Sequence, residues 1–337
     1  MDSENNHLNL EDIARLSGVS RSTVSRVIND HPNVSQRTRE RVMQVIKKYN
    51  FQPNAVARAL VTQRSRVIGI LVPHIITEVF TEPFFAMLIQ GITLKANQLD
   101  YGVTLGLTSH TDNTNTIHRL INDPLLDGFI VAEASISPEF LAQLHRENKR
   151  YVLVGRPPIS DLPIHYVDVE NEQGGYLMTQ YLIQKGYCRI AFMPGRITLT
   201  SSIDRQAGYE RAMAEAGLPP IITPAGNFTK EGGYLVAKQI LSQKVEAIFC
   251  ASDMMAIGAA EAIKEQGLSI PEDIAIAGFD DASIAANFQP PLTTVRQDVL
   301  TSGATAAEIL IEHIIENSSD TVIQKILPVS LIVRESA

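Results

Sequence analysis

The strongest constraint on the fold is a regular alternation of short apolar runs with helical patterns that begins at Val67. Strands buried on both faces form nearly continuous apolar runs, and helices between successive strands cover both faces of a parallel sheet. The length of this region fits two such sheets better than one very wide sheet. The apolar runs are VIGILVP, GVTLGLT, DGFIVA, YVLVGR, YVDV, RIAFMPG, AIFCAS and DIAIAGF, and helices are predicted near 84–99, 114–121, 138–147, 172–185, 203–216, 231–242, 254–266 and 299–316.

The residues before this alternation predict three short helices. Asn9 and Gly18 are expected to begin and end the first helix, with the glycine permitting a tight turn. Ser20 and Ser35 are the expected caps of the other two. The second and third helices, near 21–29 and 37–49, carry apolar residues at helical spacing, namely Val24, Val27, Ile28, Val42, Val45, Ile46 and Tyr49. Helices and turn together indicate a helix-turn-helix head.

The outward face of the predicted second helix is polar and basic, with Arg21, Ser22, Ser25, Arg26 and Asn29. Arginine and asparagine can address guanine and adenine edges in the major groove by paired hydrogen bonds. Serine and threonine more often hold phosphate groups. The alternative is a three-helix bundle whose polar face is only solvated.

Charge is distributed unevenly along the chain, whose net charge is −8. Residues 1–66 hold eleven Arg and Lys against six Asp and Glu, a balance of +5, and the remainder has a balance of −13. A basic module attached to an acidic body is the composition expected of a nucleic-acid-binding head on a separate sensor. The local charge matters more than the total, because phosphate neutralisation supplies most of the sequence-independent affinity for DNA.

A short segment between head and body also has a distinctive pattern. Pro53 can open a helix, and residues 54–60 are good helix formers, but seven residues are too few for a stable isolated helix. The segment is therefore either a loop or ordered only by a partner. Leu60 beside Arg58 is the combination used by side chains that wedge between base steps in the minor groove.

Several other classes of protein are disfavoured. The polar stretch after Met1 is not a secretory signal, and no apolar stretch approaches the roughly 18 residues of a membrane span, so we expect a cytoplasmic protein. No glycine-rich phosphate loop follows the first predicted strand, and the histidines are scattered, so we expect no enzyme, no metal and no cofactor. Cys188 and Cys250 lie in apolar runs and are expected to be buried, reduced thiols.

The segments IARLSGVSRSTVSRVIN and PNAVARAL resemble the lactose-repressor/galactose-repressor family of bacterial regulators, and the likeness continues through the whole chain. The resemblance implies that Arg21, Ser22 and Arg26 read bases. It implies contacts to the DNA backbone from Ser20, Thr23, Ser25, Asn29, Asn33 and Thr38. It also implies a hinge helix, paired with that of a second subunit, that contacts DNA through Asn54, Ala57, Arg58 and the wedge Leu60.

The resemblance further implies a division of the chain into a head (1–52), a hinge and linker (53–66) and a body (67–337). The body of the family resembles periplasmic sugar-binding proteins, with two Rossmann-like parallel-sheet subdomains. We expect the first subdomain to hold 67–168 and 293–325, and the second 169–292 and 326–337. The final segment LPVSLIVRESA lacks the heptad extension of tetrameric relatives, which predicts a homodimer.

Ligands of open parallel sheets gather outside the carboxyl ends of the strands. The residues that follow the predicted strands include aromatic, arginine and aspartate side chains, which suit a polyhydroxylated ring. The family pattern implies that Arg205 and Asp280 bind hydroxyl groups, that Phe228 stacks on the ring and that Phe84 and Phe85 form a wall. Ser201, Ser252 and Arg156 match further contact positions.

Structural alternatives remain open for these residues. Phe84 and Phe85 can be core residues at a helix start, and Arg205 can form a structural ion pair with Asp204 or a neighbour. Asp253 and Asp280 can be helix caps after strands, and for Asp253 we prefer that interpretation. Arg156, before two prolines, can be a surface residue.

Departures from the family pattern leave the effector open between a mono- or disaccharide and, as the alternative, a purine or phosphosugar. Leu199 stands where purine-binding relatives carry an arginine, which disfavours a purine. Ala132 and Phe228 replace residues of the lactose type, and the loop from Pro73 to Pro83 is longer than the common version. A solute-binding protein for transport is a remote alternative, which the head and the missing signal contradict.

Overall fold

The computed structural model describes residues 8–28, 31–51, 64–108, 118–132, 138–157, 162–318 and 321–337. The chain forms two compact units, Met1–Ser65 and Arg66–Ala337. The predicted DNA-contact residues Asn29, Asn54, Ala57, Arg58 and Leu60 lie outside the described ranges, as do residues 114–117 of the helix predicted near 114–121.

Three helices form the first unit, as the sequence predicts: α1 (Leu10–Ser17), α2 (Arg21–Ile28) and α3 (Gln36–Lys48). The side chain of Asn9 accepts hydrogen bonds from the N–H groups of the first turn of α1, and that of Ser35 does the same for α3. Gly18 ends α1 in the left-handed conformation, with φ 61°, which a residue without a Cβ adopts at little cost.

A small apolar core holds the three helices together. It consists of Ile13, Ala14, Val24, Val27 and Val42, with Ile28, Val45 and Ile46 packed around it. Tyr49 was expected in this core, and that prediction is wrong: it follows the last residue of α3 and is 43% exposed.

The second unit alternates strands and helices along its whole length. In chain order its elements are β1 (Val67–Ile75), α4 (Ile76–Thr81), α5 (Pro83–Gln98), β2 (Gly102–Thr108), β3 (Gly128–Val131), α6 (Pro138–Arg146), β4 (Tyr151–Val154), β5 (Tyr166–Val169), α7 (Asn171–Gln184), β6 (Ile190–Met193), α8 (Thr200–Glu215), β7 (Ile221–Ile222), α9 (Lys230–Ile240), β8 (Ala247–Cys250), α10 (Asp253–Glu265), β9 (Ala275–Asp280), α11 (Ser283–Asn287), β10 (Thr293–Gln297), α12 (Val299–Glu308), β11 (Gln324–Leu327) and β12 (Val329–Ile332). A π-helical stretch, Ile309–Glu316, continues α12.

The strands form two six-stranded sheets, which confirms the predicted architecture. The first has the order β11-β5-β4-β3-β1-β2, and all its neighbouring strands are parallel. The second has the order β12-β10-β9-β8-β6-β7 and is parallel except for its edge strand β12, which runs antiparallel to β10. Each sheet has its own apolar core, and helices cover both.

The chain passes between the two sheets three times, after Val169, after Gln297 and after Leu327. The predicted second crossing lies too early, because residues 293–297 form β10, which pairs with β9 in the second sheet. The first subdomain therefore resumes at α12 rather than at residue 293, and it continues through β11 to Leu327. The run TTVRQ has a polar composition that hides its strand character, although all its residues except Arg296 are buried.

The two cysteines differ in environment. Cys250 lies in β8 and is buried, and burial raises the pKa of its thiol far above the ordinary value. Cys188 was also expected to be buried, but it is exposed because it lies in the turn before β6, where its N–H donates to Glu246. Among the described residues, no helix has the length and apolar character needed to cross a membrane.

Candidate functional site

A cleft lies where the carboxyl ends of strands from both sheets meet, as expected for open parallel sheets. All eight residues predicted to bind an effector line it: Phe84, Phe85, Arg156, Ser201, Arg205, Phe228, Ser252 and Asp280. They come from both subdomains, with the first three following strands of the first sheet and the other five lying in the second subdomain. The cleft is thus assembled by topology from residues far apart in the chain.

Arg205, on the first turns of α8, is the central cation of the cleft and only 4% exposed. Its Nε donates to Asn171 Oδ1 at 2.9 Å, and its Nη1 donates to the carbonyl oxygen of Ala251 at 2.6 Å. The guanidinium lies 3.6 Å from the centre of the Phe279 ring, a cation–π contact. Burial lowers the pKa of Arg205, but an arginine keeps its proton even so.

Asp280, at the end of β9, is the acidic partner of Arg205, with Oδ1 3.7 Å from Nη1. Burial raises the pKa of the Asp280 carboxyl group to about 6. Three groups oppose that rise: the Arg205 charge, a hydrogen bond donated by Gln297 Nε2, and the backbone N–H of Asp253. A carboxylate and a guanidinium held side by side can accept from and donate to adjacent hydroxyl groups.

A second ion pair crosses the cleft between the subdomains. Arg156 Nη2, after β4, lies 2.6 Å from Asp204 Oδ2 on α8. The backbone N–H of Arg156 also donates to Asp168 Oδ2 at 3.2 Å. Asp204 is therefore paired with Arg156, and Arg205 is paired with its other acidic neighbour, Asp280.

Aromatic side chains form two walls of the cleft. Phe228 has a left-handed backbone, with φ 63°, and its ring lies against Gly195, where any Cβ would overlap it. Phe84 and Phe85 meet edge to face at 5.4 Å in the first turn of α5. Phe85 is also part of the core of the first subdomain, so its structural and cleft-lining roles coexist.

The cap predicted at Asp253 is not present. Ser252 caps α10, its Oγ accepting from the N–H of Met255. The Asp253 carboxylate instead accepts from the Thr294 hydroxyl and from the N–H of Ala282, and burial raises its pKa well above the ordinary range. Asp280 is not a cap either, because α11 begins at Ser283. One fully buried carboxylate thus ties together α10, β10 and the segment after β9.

Several cleft residues were not found by sequence reasoning. Asp168 accepts hydrogen bonds from Asn171 Nδ2 at 2.9 Å and from its neighbour's N–H, and Asn171 in turn positions Arg205. Thr200 is buried, and its Oγ1 has no hydrogen-bond partner among the described residues. A buried hydroxyl group without a partner is uncommon in proteins, and here it borders the cleft. The signal for Asp168 and Asn171 was their position at the first crossing between subdomains.

The polar face of the head has the expected local geometry. Ser20 Oγ accepts from the N–H of Thr23 at 3.2 Å, and Ser35 Oγ accepts from that of Thr38 at 3.3 Å. Arg21, Ser22, Arg26 and Asn33 are exposed, whereas Thr23, Ser25 and Thr38 are half-buried. Arg21 Nη1 lies 3.4 Å from Glu11 Oε1, a loose and exposed pair that leaves the guanidinium able to exchange partners. In the described part of the chain, no group of three or more His, Cys, Asp or Glu side chains is placed to hold a metal ion.

Two family models match the chain. The model of bacterial regulatory proteins of the lacI family matches residues 9–54, and that of a periplasmic binding protein-like domain matches residues 179–337. The first covers the three-helix head, and the second covers the region that contributes half of the residues lining the cleft.

Curated relatives match over nearly the full length. The HTH-type transcriptional regulator CelR of Thermobifida fusca is 32% identical over 97% of this chain and 97% of its own. The HTH-type transcriptional repressor PurR of Vibrio atlanticus is 34% identical over 90% of this chain and 91% of its own.

Two solved structures extend the likeness to the fold. A CelR–cellobiose complex aligns with a TM-score of 0.76 at 29% identity, covering 98% of this chain and 100% of that one. A lac repressor dimer bound to operator and the anti-inducer ONPF aligns with a TM-score of 0.84 at 27% identity, covering 98% of each chain.

Proposed function

Because this chain belongs to the lacI family of bacterial regulatory proteins, we propose that it is a repressor whose operator affinity is controlled by a neutral sugar bound in the cleft. The relatives are transcriptional regulators rather than enzymes, and so is this chain. The effector is a mono- or disaccharide, and the acting form is a cytoplasmic homodimer on double-stranded operator DNA.

The charge balance of the cleft is the observation that carries the choice of a neutral sugar. Arg205 already holds Asp280, and Arg156 already holds Asp204. A phosphosugar would need cationic donors in excess, whereas the three arginines that line the cleft, Arg156, Arg196 and Arg205, are matched in number by the lining carboxylates Glu82, Asp168 and Asp280. Sugar hydroxyl groups donate and accept at once, so they satisfy such pairs without breaking the charge balance.

Two further features of the cleft favour a polyhydroxylated ring. Phe228 and Phe84 offer apolar faces beside the ion pairs, which is the combination that sugars bury on binding. The unpartnered Thr200 Oγ1 supplies one more hydrogen-bonding position at the start of α8. The cellobiose-bound CelR structure supports the same class of effector.

A purine is the alternative, and one residue argues against it. Leu199, where the family's purine-binding members carry an arginine, is buried and lines the cleft as an apolar side chain. It offers no donor to a purine ring.

In the head, the exposed arginines of α2 supply the DNA-reading function. Arg21 and Arg26 project from a helix whose inner face is buried, which is how a recognition helix presents side chains to the major groove. Asn54, Ala57, Arg58 and Leu60 are proposed to contact the minor groove when two subunits pair.

A thermal-shift screen of the full chain tests the effector assignment. Neutral mono- and disaccharides, phosphosugars and purines are each added to the wild type and to Arg205→Ala. A ligand that binds only the folded state stabilises it by about 2.7 kcal/mol at a hundredfold excess over Kd. We expect a neutral sugar to raise the melting temperature of the wild type and not of Arg205→Ala. A shift given only by purines or phosphosugars would contradict the assignment.

A further inference from the structure

Two consecutive residues at the end of β9 have backbone conformations that side chains other than glycine rarely adopt. Asp280 has φ 127° and Asp281 has φ 56°. Such residues persist only where their surroundings hold them, and they concentrate at functional sites. Asp280 faces Arg205 in the cleft, so whatever holds this turn also sets the position of the acidic partner of Arg205.

The side chain of Asp281 points away from that pair and lies between two arginines. Arg296 Nε on β10 is 2.6 Å from one carboxylate oxygen, and Arg334 Nη2 is 2.5 Å from the other. The Asp281 side chain is 7% exposed, and that of Arg334 is 17% exposed. An ion pair shielded to this degree keeps its geometry better than an exposed one.

Arg334 is itself fixed by the segment that carries it. Its Nη1 donates to the carbonyl oxygen of Leu292 at 2.7 Å, and its backbone N–H donates to Thr293 Oγ1 at 3.0 Å. Two residues later, the buried Ser336 donates from Oγ to Ile276 O at 2.6 Å and accepts from the N–H of Thr293 at 2.8 Å. The segment after β12 is thus hydrogen-bonded to β9, which precedes the turn, and to β10, which follows it.

The geometry points to Arg334 as a positioning residue for effector binding: through Asp281 it holds the strained turn that presents Asp280 to Arg205. This inference rests on the proposed function, because it takes Asp280 to be a ligand contact. Arg334 does not line the cleft, so its effect on the effector is exerted through the residues that it holds, and of these Asp281 is adjacent to the cleft residue Asp280.

Three variants test this role in the full chain. Arg334→Gln and Asp281→Asn each remove the shielded ion pair while keeping side chains of similar size. Lys238→Gln is the control, because it removes an ion pair of 3.6 Å with Glu265 in the same subdomain, in the last turns of α9 and α10, and neither residue lines the cleft. Asp281→Asn keeps the hydrogen bond from Arg334 to Leu292. It therefore removes the ion pair while the segment after β12 stays attached to the residues before β10.

The first measurement is amide hydrogen exchange of the ligand-free protein. We expect faster exchange in peptides that cover 279–282 in Arg334→Gln and in Asp281→Asn, by about tenfold. Exchange in the strands of the first sheet should be the same in these variants as in the wild type. The control variant should exchange like the wild type throughout. Unchanged exchange at the turn in both variants would overturn the proposal.

The second measurement is the pH dependence of unfolding, which a merely structural role would leave unaltered in shape. Asp280 is faced by Arg205 from α8, Gln297 from β10 and Asp253 from α10. If the turn loosens, Asp280 gains water and the wild-type loss of stability between about pH 4 and about pH 6 should become shallower. Arg334→Gln, which removes no carboxyl group, should leave the profile unaltered when it is made in an Asp280→Asn background, and an equal change there would refute the positioning role.

The third measurement is cellobiose binding by calorimetry. If the wild type binds, Arg334→Gln and Asp281→Asn should weaken binding by about tenfold and Lys238→Gln should not. Equal affinities in all variants would overturn the proposal. If the wild type does not bind cellobiose, the same comparison is made with the neutral sugar found by the thermal-shift screen, and failure of every neutral sugar there counts against the proposed function. Exchange and pH profiles still decide the role of Arg334 in that case.

Discussion

Asp280 shows how the interior of the cleft changes the chemistry of a single carboxyl group. Burial raises its pKa to about 6 from 3.8, even with Arg205 beside it. The ionised form that would accept sugar hydroxyl groups is therefore held at a cost in stability. Function and stability oppose one another at this residue.

Asp280→Asn should consequently stabilise the ligand-free protein at neutral pH. The folded-state pKa is raised, so the wild type has its full stability below the unfolded-state pKa and loses it as pH rises through about 6. The asparagine side chain does not titrate. The free energy of unfolding of the variant should therefore gain on that of the wild type by on the order of 3 kcal/mol between about pH 4 and about pH 7. Denaturant unfolding at several pH values measures this. Asp273→Asn, an exposed aspartate of the same subdomain, is the control. A constant difference across pH would contradict the prediction.

Individual cleft residues were predictable where they lie at or just after the carboxyl end of a strand. Arg156, Ser252 and Asp280 occupy such positions, and all three line the cleft. The exchange of roles between Ser252 and Asp253 was not predictable, because both residue types cap helices equally well. Only the packing of Thr294 against α10 decides that the aspartate is bonded across the sheet.

At the scale of secondary structure, close helix pairs fix the position of the functional side chains. Gly175 on α7 lies against α8, and a Cβ at this position would overlap the carbonyl oxygen of Arg205. Gly208 on α8 makes the reciprocal approach to Glu172 on α7. The backbone of Arg205 is therefore set by the contact between the two helices.

Gly175→Ala should lower the stability by about 1–3 kcal/mol and also displace Arg205, because overpacking moves the backbone. Gly303→Ala is the matched control, since it creates a comparable overlap with Leu88 in the other subdomain. Thermal unfolding with and without the sugar found by screening gives both quantities. At a similar loss of stability, only Gly175→Ala should weaken the sugar-induced shift. Equal weakening in both variants would mean that the helix pair does not set Arg205.

The helices of the head were predictable because capping and apolar spacing agree along the sequence. Arg26 is exposed on α2 and alanine is a good helix former, so Arg26→Ala should leave the head folded. Loss of a base-reading arginine should cost about 1–3 kcal/mol of specific affinity and relax the preference at one base position. Fluorescence anisotropy with a duplex selected from a random pool measures both. Arg15→Ala, outside the reading face, is the control. An unaltered base preference in Arg26→Ala would refute the reading role.

For the whole molecule, the two-sheet architecture followed from the alternation of patterns, but the subdomain boundary did not. The run TTVRQ carries only one large apolar side chain, yet it is buried between β9 and β12. Burial by neighbours on both sides overrides composition in a central strand. The second crossing was therefore placed several residues too early.

Closure of the cleft should respond to the ion pair that spans it. The side chains of Arg156 and Asp204 are 38% and 23% exposed, so their pair contributes less than about 1 kcal/mol. Arg156→Ala should shift the equilibrium between closed and open arrangements a few-fold toward the open one without unfolding the protein. X-ray scattering should report this as a larger radius of gyration. Lys230→Ala, which removes an equally short pair within one subdomain, should have no effect. An unaltered radius in Arg156→Ala would exclude a role for this pair in closure.

The number of chain crossings determines which parts of this molecule can be exchanged by gene fusion. Three crossings interlace the two subdomains, whereas the three-helix head is continuous in sequence and precedes the body. A gene fusion with one join in 52–66 can therefore give this sensor a new operator specificity. Neither half of the sensor can be exchanged in the same way, because each is encoded in separate stretches of the gene. Modularity in this molecule belongs to the boundary that is crossed once.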